Sequence, residues 1–96
     1  MTPSLDQLRE HRAEISMVLK RHHAVRARVF GSVARGEAGP ESDVDLLVRF
    51  ETGSSLFDLM DLQDELQEML GVSVDVVSEG GLKDRDDLIR REAVDL

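Results

Sequence analysis

The chain has 96 residues, 41% of them hydrophobic and 33% charged, which is room for one sheet with a few helices and too apolar for a disordered chain. It has no cysteine, which excludes disulfides and thiolate chemistry. Its net charge of −8 is uneven, because residues 1–37 carry seven Arg/Lys against four Asp/Glu while residues 38–96 carry five against sixteen. Such an acidic surface repels phosphate backbones, so no direct nucleic-acid partner is expected and a basic protein surface is the better match.

Ser4 followed by Gln7 reads as a capping box, and Leu5, Leu8, Ile15, Val18 and Leu19 recur at helical spacing, predicting one helix from about Leu5 to about His22. Val25 to Phe30 alternates with period two, with Val25, Ala27 and Val29 on one face and Arg26, Arg28 and Phe30 on the other. Gly31-Ser32 ends that strand, and Gly36, Gly39 and Pro40 mark a loop before a second strand, Val44 to Phe50. Ser54 or Ser55 caps the next helix, whose apolar stripe runs through Leu56, Leu59, Met60, Gln63, Leu66, Met69 and Leu70 and stops at Gly71. Val72 to Val77 is a third alternating strand; Gly80-Gly81 turns the chain, and Leu82, Leu88, Ile89 and Ala93 suggest a short last helix before a strand segment at Val94 to Leu96. The whole chain, 1–96, is expected to form one α/β (α+β) domain, a small mixed sheet with helices packed on its valine-rich face.

Strand parity gathers the chemistry. Asp43, Asp45 and Asp75 lie on the faces opposite the valines, and if the second and third strands are neighbours the three carboxylates share one site. Two such charges about 4 Å apart repel by roughly 4 kcal/mol at an effective dielectric of 20, so the cluster calls for a cation. Oxygen-only ligands suit Mg²⁺ or Mn²⁺, which bind carboxylates together with substrate phosphates. The Gly31-Ser32 turn offers those phosphates free backbone N–H groups and a hydroxyl.

Gly31-Ser32, ten further residues and then Asp43-Val44-Asp45, with the variants Ala34-Arg35-Gly36 and Ser42-Asp43, resembles the MNT branch of the DNA polymerase beta-like nucleotidyltransferases, and the likeness extends over nearly the whole chain. The resemblance implies that Asp43 and Asp45 coordinate two metal ions bridging the triphosphate of ATP. It implies further that Asp75 ligates one ion while helping deprotonate an acceptor hydroxyl, and that Gly31, Ser32, Arg35 and Ser42 belong to the nucleotide site. Arg35 can contact a phosphate or pair with a neighbouring carboxylate, and the residues alone leave both open. The usual partner in that family is a HEPN ribonuclease toxin, adenylylated on a tyrosine, so a hetero-oligomeric antitoxin is the expected role.

Alternative readings accompany these. An isolated Asp-x-Asp is usually solvated surface, and the Gly-Ser spacing with Asp75 is what distinguishes this one. His22-His23 reads as cations near a helix C-terminus rather than a metal pair. Asp58, Asp61, Asp64, Glu65 and Glu68 read as a solvated helix face, and Met60 and Met69 as helix core. Arg26 and Arg28 share the carboxylate side and are candidates for phosphate or partner contact. The competing functions are a binding module that neutralises a toxin by occlusion and a transferase acting on a small molecule. With no apolar run of membrane-span length and no signal-peptide order at the N-terminus, a cytoplasmic location is expected.

Overall fold

A computed structural model of the protein describes residues 2–82 and 87–96. Ser4 caps the first helix as its spacing predicts, accepting the Gln7 N–H at 3.2 Å. The expected single helix is two, α1 (Leu5–Glu10) and α2 (Arg12–Arg21), because His11 donates its N–H to the Leu8 carbonyl three residues back before the regular ladder resumes at Ile15. Such a tightened turn interrupts the 3.6-residue ladder without stopping the chain direction.

The sheet follows the order β3-β2-β1-β4, with β1 (Ala24–Phe30), β2 (Val44–Phe50), β3 (Val74–Ser78) and β4 (Val94–Asp95). A five-residue helix, α3 (Gly31–Arg35), links β1 to the loop before β2. The β1 pairings with β2 and β4 are antiparallel, while β2 and β3 run parallel and are joined by α4 (Leu56–Leu70). A parallel pair requires such a crossover, since a tight hairpin can only join antiparallel neighbours. A short 3₁₀ turn (Glu79–Gly81) follows β3, and α5 (Asp87–Glu92) precedes β4; the part of the last predicted helix region at 83–86 lies outside the described residues.

Parity holds along β2 and fails at the start of β1. Val44, Leu46 and Val48 are buried as expected, but Val25 is 61% exposed and Ala24 takes the core position, because the β1–β2 register shifts between Ala24 and Arg26. An extra residue in one strand turns every side chain before it to the other face. The α4 stripe also differs. Its centre is Leu62, Leu66 and Leu70, with Leu59 and Met69 at its margins, while Leu56 and Met60 are exposed. Leu62 is completely buried, so Leu62→Ala is expected to cost about 2–5 kcal/mol.

α4 does more than cover the sheet. Gln63 and Gln67 accept the Val76 and Val74 N–H groups at 2.9 and 3.1 Å, tying down the outer edge of β3. Ser55 and Asp58 form a reciprocal capping box at its start, with Gly71 at φ +69° closing its end. The opposite face of the sheet is not bare either, since Leu47, which shares parity with Asp45, is fully buried near the Glu79–Gly81 turn.

Candidate functional site

The N-terminal ends of β2 and β3 lie side by side, and the register pairs Asp45 directly with Asp75. On the other side, Asp45 is opposite Phe30, the last residue of β1. The chain then passes into Gly31 at φ +72°, a left-handed conformation that suits glycine. A second constraint excludes any side chain here. A Cβ built on Gly31 would stand 2.3 Å from Oδ2 of Asp45, so the glycine is what allows the carboxylate to lie against the backbone of the turn.

Asp45 is half-buried, and burial pushes its carboxyl above the ordinary aspartate range. The charges of Asp75 and then Asp43 push in the same direction, and only the Arg35 guanidinium opposes them. Asp43 and Asp75 are exposed. Thus the three predicted carboxylates come to one end of one sheet face, where the central member carries the electrostatic cost of the other two.

Among the described residues no three His, Asp or Glu side chains converge into a preformed ion cage. Mg²⁺ does not require one, because it retains waters and takes one or two carboxylates together with substrate phosphates. A carboxylate pressed toward neutrality by burial and like charges fits a hard divalent cation, which would relieve both.

Ser32 is partly buried at the second position of α3. Ser42 closes the loop that delivers Asp43, since its hydroxyl accepts the Gly39 N–H at 2.8 Å while its own N–H reaches the Gly39 carbonyl at 3.1 Å. Arg35 is held by two carboxylates, Glu37 at 3.0 Å from Nε and Glu92 at 3.0 and 3.2 Å from Nη1. Glu92 is not visible as a site residue in the sequence, since 57 positions separate it from Arg35.

The two arginines that β1 places on this face have partners. Arg26 binds the Asp95 carboxylate of β4 through Nε and Nη2 at 2.9–3.2 Å, and the largely buried Arg28 pairs with Glu79 at 3.4 Å. His22 and His23 diverge to separate carboxylates: His22 meets Glu65 at 2.8 Å, where Arg21 also binds, and His23 meets Asp58 at 3.2 Å. Asp58 and Glu65 therefore leave the predicted solvated face, while Asp61, Asp64 and Glu68 remain on it. A cavity of about 680 Å³ bounded by Arg49, Phe50, Ser55, Leu59 and Ser78 lies at the far end of β2 and contains none of the three aspartates.

The nucleotidyltransferase domain family matches residues 8–95, and the chain belongs to that family. Within it the chain is a minimal nucleotidyltransferase. It is 44% identical over 93 residues to a Methanocaldococcus jannaschii protein provisionally named a protein adenylyltransferase, covering 93% of this chain and 97% of that one. A solved structure provisionally described as a minimal nucleotidyltransferase superposes with a TM-score of 0.85 at 50% identity, over 98% of this chain and 97% of the other. A chain from a solved complex of a tri-AMPylated Shewanella oneidensis HEPN toxin with an MNT antitoxin shares the fold at a TM-score of 0.58 and 18% identity, over 78% of this chain and 58% of that one.

Proposed function

We propose that the protein transfers AMP from ATP to a hydroxyl of a partner protein, a tyrosine of a HEPN-type ribonuclease toxin, and so acts as a cytoplasmic antitoxin in a complex of the two chains. The observation that carries the reading is Gly31 set against Asp45, with Asp75 in the adjacent register position. The same-length relative named for transfer to proteins supports a protein acceptor, and the complex of toxin with MNT antitoxin supports its kind.

In this reading Asp43 and Asp45 hold two Mg²⁺ ions, or Mn²⁺, and Asp75 holds one of them. When bound, the ions neutralise the triphosphate and the charge that builds on the attacking and leaving oxygens. Gly31 lets the Asp45 carboxylate lie against the turn, and Ser32 and the turn N–H groups orient the phosphate oxygens. Ser42 keeps the loop before Asp43 closed. The acceptor oxygen bonds to the α-phosphorus as the bond to the bridging oxygen breaks; pyrophosphate leaves, and Asp75 takes the hydroxyl proton.

Incubation with ATP labelled at the α-phosphate, Mg²⁺ and a HEPN-type toxin from the same organism should add AMP masses to that protein. Asp43→Ala plus Asp45→Ala should abolish the addition. If this double variant neutralises the toxin as well as the parent and no label transfers with either, occlusion replaces catalysis. Pyrophosphate release by the purified protein with aminoglycosides alone would instead indicate a small-molecule acceptor.

A further inference from the structure

Arg35 is the cation whose charge reaches Asp45, yet two carboxylates already occupy it. The two differ in origin. Glu37 lies two residues along the same chain segment and is mostly exposed, whereas Glu92 is the last residue of α5 and is the more buried partner, with a side chain 24% exposed. Two positions beyond Glu92 the chain enters β4, whose residues Val94 and Asp95 pair with Val29 and Arg28 of β1. The Arg35–Glu92 contact thus fastens the C-terminal helix to the helix that follows Phe30.

A guanidinium flanked by two carboxylates is a net negative locus, here within reach of Asp45, and a poor place for an incoming polyanion. The same guanidinium freed of one carboxylate offers N–H groups suited to phosphate oxygens, which compete well because the contact is charge-assisted. Arg35 is exposed and also borders a cavity of about 490 Å³ with Pro3, Leu5, Val33, Ala34 and Gly36, which contains none of the three aspartates and leaves that flank of the side chain unpacked.

We propose that Glu92 is a positioning residue that latches Arg35 in the nucleotide-free protein, and that a triphosphate takes Arg35 over and thereby releases α5. The inference rests on the nucleotide-site reading above but concerns its control. Binding linkage makes the effect reciprocal: whatever weakens the Arg35–Glu92 contact tightens the triphosphate, and the triphosphate loosens α5.

The test measures ATP affinity in the presence of Mg²⁺ by calorimetry on the full chain, and amide hydrogen exchange in residues 87–92. Glu92→Gln should tighten ATP by about threefold, the scale of an exposed ion pair, with kcat unchanged and KM lowered. Glu92→Asp should restore parent affinity. Arg35→Ala should weaken ATP, and adding Glu92→Gln to it should change nothing more. ATP should speed exchange in α5 of the parent and not of Arg35→Ala. Unchanged or weakened ATP binding in Glu92→Gln with a parent-like melting temperature overturns the latch, as does an ATP-induced rise in α5 exchange in Arg35→Ala equal to the parent's. ATP binding without AMP transfer would remove the proposed reaction while the latch still stands on affinity; absence of ATP binding by the parent would remove both.

Discussion

Two groups of carboxylates in this chain are treated in opposite ways. At the junction of α2 with α4, Glu65 faces His22 and Arg21, and Asp58 faces the N–H of Ser55 and His23; these hydrogen bonds hold both carboxyls below their ordinary range. At the head of β2 and β3, Asp45 loses water and also has the charges of Asp75 and Asp43 as neighbours, and its carboxyl rises. The first group helps hold two helices together. The second costs the fold something, a cost that the cation of the proposed reaction would offset.

That contrast can be broken at Gly31, where the largest effect is expected. Gly31→Ala places a methyl onto the Asp45 carboxylate at a positive φ, so it should lower stability by about 1–3 kcal/mol and cut AMP transfer by at least about a hundredfold, measured by urea unfolding and label incorporation. Next, Asp45→Asn should abolish detectable transfer yet raise the melting temperature of the ion-free protein by about 2–4 °C, because it removes a partly desolvated charge and its repulsion by Asp75 and Asp43. A lower melting temperature for Asp45→Asn would contradict the electrostatic account.

The two groups of carboxylates also respond to pH with opposite sign. Asp45 has a raised carboxyl, so the folded state binds more protons than the unfolded state between their two titrations. Stability contributed by this group therefore falls as pH rises from about 4 through the folded-state titration. The advantage of Asp45→Asn over the parent should grow across that window and then level off. Asp58 and Glu65 have lowered carboxyls, so their contribution is present above the unfolded-state range and is lost as pH falls through the folded one. The smallest effect is expected there: Glu65→Gln should lower the melting temperature by about 1–2 °C at neutral pH, less in high salt, and not at all once the carboxyl is protonated. Mg²⁺ with ATP should raise the melting temperature of the parent and leave Asp43→Ala plus Asp45→Ala unmoved.

Much of this protein is determined by its sequence alone. Alternation in Val44 to Phe50 and Val72 to Val77 is enough to put Asp45 and Asp75 on the face opposite the valines, because side chains in a strand have a period of two. Gly71 and Ser55 mark the limits of α4 for equally local reasons. What local pattern could not decide is anything that depends on a distant neighbour. The register shift that exposes Val25 exists only when β2 is beside β1, and the Leu62 stripe is selected by the sheet that α4 covers. Pairing of His22 with Glu65 and of Arg35 with Glu92 spans 43 and 57 residues, distances over which no periodicity operates. The glycine of the Gly-Ser turn joins both kinds of knowledge: its motif is written in sequence, but the reason that no other residue fits, the Asp45 carboxylate against its Cα, is made only by folding.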